Sequence, residues 1–210
     1  MDILLADDHA MFRSGLRHIL EEEFPEAVIE EAESCAEVLK KNSKQDWNII
    51  ILDVAMGDKN SLNILPRLKE KKAAAPILIL SMYNDRQFVL QALRGGADGY
   101  LTKEHAPEEL IKAVHTILSG KKYITPLMTE SLADYLSSGQ EGETVPHARL
   151  SAREHEVFLM IAAGVAMTEI ADRLAISVKT VSTYRTRILE KMDMNSNADL
   201  IRYAVQNGLA

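Results

Sequence analysis

The chain reads as an α/β protein, with a doubly wound, five-stranded parallel sheet followed by a small all-helical domain. Three observations predict this. Short, nearly continuous apolar runs at residues 3–6, 49–52 and 77–80 alternate with helical patterns, as expected of parallel strands buried on both faces. Acidic, hydroxyl or basic residues stand at or just past the ends of such runs: Asp7-Asp8, Asp53, Ser81 and, after Tyr100-Leu101, Lys103. From Leu150 onward every segment carries helix signals.

Element by element, the pattern predicts strand 3–6, helix 11–22, strand 28–32, helix 35–41 and strand 49–52, then helix 61–71, strand 77–81, helix 85–95, strand 99–102 and helix 107–119. Five βα units give a doubly wound sheet, most simply in the flavodoxin-like order 2-1-3-4-5. Pro66 requires the third helix to start late or bend. Pro107 suits the first turn of the last of these helices, and Gly95-Gly96 ends the fourth. Thr125-Pro126 can open a further helix to about residue 137, and the polar, small-residue stretch 137–146 reads as a linker. The expected division is therefore a first domain over 1–120, a connecting helix and linker over 121–147, and a second domain over 148–210.

In the second domain Ser151 and Glu154 form a capping box ahead of Val157, Phe158, Met160 and Ile161, and Gly164 ends that helix. A short helix over 168–174, a turn at 175–177 and a long helix over 178–192 make a helix-turn-helix. Ser196 or Asn197 caps a last helix that stops before Gly208. On the long helix Val178, Val181, Ile188, Leu189 and Met192 recur at three- and four-residue steps and are expected in the core. Lys179, Ser182, Thr183, Thr186 and Arg187 fall on the opposite face, where a recognition helix meets the major groove.

Composition bounds the possibilities. With 47% apolar and 26% charged residues the chain is ordinary globular protein. No apolar stretch reaches the roughly 18 residues of a membrane span, and the N-terminus enters a strand without a signal-peptide n-region, so a cytoplasmic protein with no membrane partner is expected. Cys35 is the single cysteine, which excludes an intrachain disulfide and a cysteine-based zinc site. The six histidines show no metal-ligand spacing, and His9 reads as a surface residue beside the acidic pair. The net charge of -7 is uneven: residues 1–147 hold 16 Lys and Arg against 24 Asp and Glu, whereas 148–210 hold 8 against 7. Affinity for DNA must then come from local placement of cations and from dimerisation.

In an open parallel sheet, residues past the carboxyl ends of the strands converge on one crevice. Carboxylates gathered there repel one another unless a cation joins them, and hard oxygen ligands suit Mg²⁺. Asp53 can attack phosphorus as a carboxylate nucleophile, with Lys103 as a point charge and Ser81 as a hydroxyl donor for the phosphoryl oxygens.

On these residues, positions 1 to about 120 resemble the receiver domain of two-component response regulators. The resemblance implies that Asp7, Asp8, Asp53 and the Ala55 main-chain carbonyl hold Mg²⁺, that Asp53 is the phosphoacceptor, and that Ser81 and Tyr100 are the switch pair beside Lys103. It also implies a partner histidine kinase. One part departs: the family's Met-Pro-Gly loop is replaced by Met56-Gly57-Asp58-Lys59-Asn60-Ser61, which lacks the fixed φ of proline.

Residues 148–210, through Leu150-Ser151, Arg153-Glu154, Glu169-Ile170-Ala171, Ile176-Ser177 and Lys179-Thr180-Val181, resemble the DNA-binding domain of the NarL/LuxR type. By position in that family Ser182, Thr183 and Thr186 lie where base edges are read, while Lys179, Thr180, Tyr184, Arg185 and Arg187 lie where phosphates are held. Residues 164–168 depart from the polar pattern common before the second helix. The implied protein is not an enzyme but a transcriptional regulator of promoter DNA that dimerises on phosphorylation, through the fourth and fifth helices or Ile111 and Val114, and through Ala198 and Ile201. Two rival readings are an aspartate-nucleophile phosphatase and a regulator that works without phosphate. The first lacks its leaving-group acid, since Ala55 stands two positions after Asp53.

Overall fold

The computed structural model describes residues 1–57, 59–71, 74–82, 86–125, 128–129, 146–174 and 176–209. It divides into two compact units, Met1–Glu141 and Gly142–Ala210. The expected linker, except its last residue Pro146, and most of the helix expected to begin near Thr125 lie outside the described residues.

In the first unit β1 (Asp2–Ala6), β2 (Val28–Ala32) and β3 (Ile49–Asp53) alternate with α1 (Ala10–Glu23) and α2 (Cys35–Lys44). A short hairpin, β4 (Ala55–Met56) with β5 (Lys59–Asn60), comes next. A 3₁₀ turn (Ser61–Ile64), α3 (Leu65–Leu68), β6 (Ile77–Ser81), α4 (Arg86–Arg94), β7 (Gly99–Thr102), α5 (Ala106–Leu118) and β8 (Tyr123–Ile124) complete it. The main sheet runs β2-β1-β3-β6-β7-β8, with every neighbouring pair parallel. Its first five strands have the expected order, and β8 adds a sixth at the edge. That edge forms because Gly120, at φ +81°, reverses the chain after α5 and the Tyr123 N–H reaches the Asp98 carbonyl at 3.0 Å.

The third helix is shorter than expected. Pro66 cannot donate a helical hydrogen bond, so the segment opens as a 3₁₀ turn, with the Asn60 side chain accepting from the Leu62 N–H at 2.9 Å, and becomes α-helical only at Leu65. The core on one side of the sheet gathers Ile3, Leu5, Ile49, Ile51, Leu78 and Leu80 against Leu16 and Leu20 of α1 and Leu110 and Val114 of α5. Val114 is fully buried there, so of the two α5 positions expected at a dimer contact only half-buried Ile111 retains exposed surface.

The second unit contains α6 (Ala152–Ala162), α7 (Met167–Arg173), α8 (Val178–Met192) and α9 (Asn197–Gln206), preceded by a 3₁₀ turn (Pro146–Arg149). The capping box is formed as expected: the Ser151 side chain accepts from the Glu154 N–H and Glu154 from the Ser151 N–H. Burial would push the Glu154 carboxyl up, but the Lys191 ammonium at 2.5 Å and the Ser151 bonds prevail and hold it below the usual carboxylate range. Val157, Phe158, Ile170, Val181, Ile188 and Leu200 fill the core.

Gly99 opens β7 where the sheet meets α5. A Cβ there would lie 2.6 Å from Ile117 Cδ1 and 3.0 Å from the Tyr123 carbonyl oxygen. The side chain can rotate, whereas the carbonyl belongs to the β8 backbone. Gly99→Ala is therefore expected to destabilise the first unit by about 1–3 kcal/mol, read as a lower denaturation midpoint in urea; an unchanged midpoint would show that β8 yields freely.

Candidate phosphoacceptor site and recognition helix

Parallel pairing brings the functional strand ends together. Ala6 pairs with Leu52, Asp53 with Leu80, and Ser81 with Thr102, so Asp7, Asp53, Ser81 and Lys103 stand at the same edge of adjacent strands. All four are buried. Lys103 Nζ lies 2.8 Å from Asp53 Oδ2 and 2.7 Å from Asp7 Oδ2, and 4.9 Å above the Phe12 ring. The contact with Asp53 is a hydrogen bond; the one with Asp7 has the distance of an ion pair without the same directionality, which leaves that oxygen acceptor capacity. Burial would discharge the ammonium, but Asp53 and Asp7 hold its pKa above the ordinary lysine value.

Asp53 is pushed up to about 7, first by burial, with the Asp7 charge adding and the Lys103 charge and the Ala55 N–H opposing. One ligand atom from each of Asp7, Asp8, His9 and Asp53 falls within 4.8 Å of the others. Three carboxylates with an underused buried oxygen are a donor set that suits a hard divalent cation. His9 is exposed, as expected, yet its Nδ1 is 2.8 Å from Asp8 Oδ1, which places it at the rim of this cluster.

Several residues of the site escaped the sequence reading. Arg13, on α1, is buried and donates to the Asp7 carbonyl at 2.6 Å, to Glu31 at 2.7 Å and to Glu33 at 2.6 Å. It clamps the end of β1 to β2 and the segment after it. The loop after Asp53 is the β4-β5 hairpin, turned at Gly57 with φ +62°. Its Gly57 N–H donates to Asp8 Oδ2 at 2.7 Å, and Ser61 returns to the strand end through its hydroxyl to the Asp53 carbonyl and its N–H to the Val54 carbonyl at 2.9 Å. Hydrogen bonds thus fix a loop that carries no proline. Ser81 takes the Lys103 N–H on its carbonyl at 2.7 Å, and Tyr100 is fully buried in β7.

In the second unit α8 exposes Lys179, Ser182, Thr183, Thr186 and Arg187 on one face. Lys179 and Arg187 form no ion pair among the described residues. The Thr183 and Thr186 hydroxyls donate to the Lys179 and Ser182 carbonyls at 3.0 and 3.1 Å. Thr180 is tied to the N-cap, its hydroxyl 2.8 Å from that of Ser177, and Arg185 Nε donates to Asn197 Oδ1 at 2.6 Å, joining α8 to α9. Two expectations are corrected. Tyr184 is 5% exposed and belongs to the core, because it continues the stripe Val181, Tyr184, Ile188 at helical spacing. Val178, expected in the core, is 45% exposed at the first position of α8, while Val181 in the same turn is buried.

An open sheet with an acidic crevice and a helix-turn-helix domain define a class, and comparison agrees. Residues 3–115 match the response regulator receiver domain, and residues 148–204 match the luxR family of bacterial regulatory proteins. The chain belongs to the response regulators and carries a DNA-binding domain of the LuxR type. It is similar to the oxygen regulatory protein NreC of Staphylococcus carnosus, 36% identical over 214 residues covering 100% of this chain and 99% of that protein. It resembles the transcriptional activator protein ExaE of Pseudomonas putida equally, at 36% over 209 residues and 100% and 98% of the two chains. A solved structure of RcsB from Salmonella enterica serovar Typhimurium, bound to a promoter in the presence of the phosphomimetic BeF₃⁻, matches with a TM-score of 0.58 and 29% identity over 97% of each chain. Among the described residues no helix is long and apolar enough to cross a membrane.

The raised Asp53 pKa carries a pH dependence. A carboxyl whose pKa rises on folding binds its proton more tightly in the folded state, so the stabilisation is complete below the unfolded value of 3.8 and is lost as pH rises through about 7. With chelator present, the denaturation midpoint of the natural protein relative to Asp53→Asn is expected to fall between about pH 4 and about pH 8. A constant difference across that range would mean that Asp53 stays charged in the folded protein.

Proposed function

We propose that a partner histidine kinase phosphorylates this regulator on Asp53, and that phosphorylation controls dimerisation and promoter binding in the cytoplasm. The observation that carries the reading is the Lys103 ammonium shared by the buried Asp53 and Asp7 carboxylates. Asp7, Asp8, Asp53 and the Ala55 carbonyl would hold Mg²⁺, which when bound offsets negative charge on carboxylates and phosphoryl oxygens. Asp53 Oδ attacks the phosphorus of the kinase's phosphohistidine, the P–N bond breaks and the imidazole leaves, and Lys103 shifts from the carboxylate to a phosphoryl oxygen. Ser81 donates its hydroxyl to a second oxygen, and Tyr100 on the neighbouring strand transmits the change to the α4 and α5 side.

In the DNA-binding domain Lys179, Arg187 and the remaining nitrogens of Arg185 engage phosphates, while Ser182, Thr183 and Thr186 face base edges. Thr180 stands at the helix start, where the N-terminus favours a phosphate. Tyr184 is left out of the contact set because it is buried. Without Arg, Asn or Gln among the base-facing residues, direct readout is modest, and specificity leans on thymine methyls, water and half-site spacing. Ala198 and Ile201 on α9 are exposed and suit a two-fold contact.

Asp53→Ala is expected to abolish labelling from a small radioactive phosphodonor, and excess chelator to do the same to the natural protein; labelling that survives either treatment refutes the assignment. For DNA, Lys179→Ala is expected to weaken binding to all duplexes about equally and to reduce the salt slope by about 1, while Thr183→Ala alters the order of preference among duplexes. Electrophoretic binding at several salt concentrations separates the two behaviours, and a changed base preference in Lys179→Ala with an unchanged slope would reverse the roles.

A further inference from the structure

His9 follows the acidic pair and is the N-cap of α1, with extended backbone at φ -88° and ψ 98°. That position favours Ser, Thr, Asp or Asn, whose side chains accept from the first free N–H groups of a helix. An imidazole serves it poorly, and the His9 ring makes no capping bond. It turns to the carboxylates instead. Nδ1 lies 2.8 Å from Asp8 Oδ1 and 3.4 Å from Asp7 Oδ1, while the His9 N–H donates to that same Asp7 oxygen at 2.8 Å and fixes the base of the side chain.

These separations are those of neighbouring ligands around one ion. Two donor atoms bound at about 2.1 Å stand about 3.0 Å apart along an octahedral edge and about 3.4 Å apart in a tetrahedron. The wider set agrees, since one donor atom each from Asp7, Asp8, His9 and Asp53 lies within 4.8 Å of the others. Asp7 adds a separate sign. It is fully buried, and its Oδ2 has no hydrogen-bond partner although the Lys103 ammonium is 2.7 Å away. The His9 and Asp8 side chains are 62% and 29% exposed, so the rim of the cluster stays open to water and to a phosphoryl oxygen.

Oxygen ligands alone suit Mg²⁺, whereas an imidazole nitrogen is a ligand of transition ions. We propose, resting on the reading of Asp7, Asp8 and Asp53 as metal ligands, that His9 Nδ1 is a further ligand at this crevice and makes it select a divalent first-row transition ion over Mg²⁺. The nitrogen adds affinity for an ion that accepts it and none for an ion that keeps to oxygen. A residue outside the acidic set thereby decides which ion accompanies the phosphoacceptor.

The full-length protein is titrated by calorimetry with Mg²⁺, Mn²⁺ and Co²⁺ at fixed pH and ionic strength. His9→Ala is expected to weaken Co²⁺ binding by about tenfold or more, and Mn²⁺ binding by less, while changing that of Mg²⁺ by under about twofold. Asp53→Ala should lose all three ions, which separates this site from the surface pairs His18–Glu22 and His115–Glu23. Pulsed electron paramagnetic resonance of bound Mn²⁺ should show a directly ligated nitrogen that changes its coupling when the histidines carry heavy nitrogen and disappears in His9→Ala. The proposal is overturned by Mn²⁺ bound without nitrogen coupling, by Co²⁺ affinity unchanged in His9→Ala, or by equal weakening of all three ions. Mg²⁺ binding that survives Asp53→Ala would instead sink the reading of the crevice on which the proposal rests.

Discussion

The Lys103 ammonium stands between two buried carboxylates, and the geometry of the first unit serves to keep it there. Asp7 ends β1, Asp53 ends β3 and Lys103 follows β7, so the ion pairs exist only while those strands hold their parallel register. A buried ion pair contributes little net stability, because the desolvation of its members offsets most of their attraction. Its value here is chemical. Burial, with the Asp7 charge adding, drives Asp53 toward its protonated form against the pull of Lys103, and an oxyanion delivered to the crevice meets a lysine that can be drawn from its present partners. Phosphoryl transfer needs charge stabilisation of that kind already positioned.

The surroundings of this triad show how position is maintained without the usual devices. Arg13 fixes the Asp7 carbonyl while its other nitrogens are held by Glu31 and Glu33, so the end of β1 cannot drift from β2. After Asp53 the chain turns through a hairpin rather than a proline-bearing loop. Ser61 bonds twice to the strand end it has just left, and Gly57 bonds to Asp8. The Gly57 contact also occupies one Asp8 oxygen, leaving the other toward His9 and the cluster.

Much of this was legible in the sequence because buried parallel strands announce themselves as unbroken apolar runs, and a residue one step past each run must lie at the crevice. Asp7, Asp53, Ser81 and Lys103 were found in that way. What remained hidden obeys weaker signals. β4, β5 and β8 have two residues each, too few for any periodicity to register. Arg13 sits within the first helix with no motif to mark it, and only the fold shows that glutamates from β2 and beyond close over it. Tyr184 was placed at a phosphate by its position in the family, which does not register packing. The helical steps from Val181 and to Ile188 already placed its ring inward, and burial of so large a side chain outweighs the attraction of a surface role for its polar tip. Val178 erred in the other direction: it shares the apolar spacing, yet as the first residue of the helix it is 45% exposed.

The second unit reaches its function with few charges to spare. Residues 148–210 carry one net positive charge, and several cations are already committed: Lys191 to Glu154, Arg153 to Glu156, Arg173 to Glu169 and Arg202 to Asp199. Lys179 and Arg187 stand clear of such pairs on the outer face of α8 and can meet phosphates without breaking a contact. The hydroxyls between them are differently placed. Thr183 and Thr186 already donate to carbonyls of their own helix, so turning to a base exchanges one hydrogen bond for another and gains little net energy. Their methyl groups lose nothing in the exchange and suit thymine edges. One copy of such a surface would discriminate weakly, and two copies placed on half-sites a fixed distance apart would multiply both the phosphate contacts and the small preferences. Control of pairing by the first unit, as proposed above, would therefore be an economical way to control this DNA-binding domain: it would act on the step that turns a weak surface into a selective one.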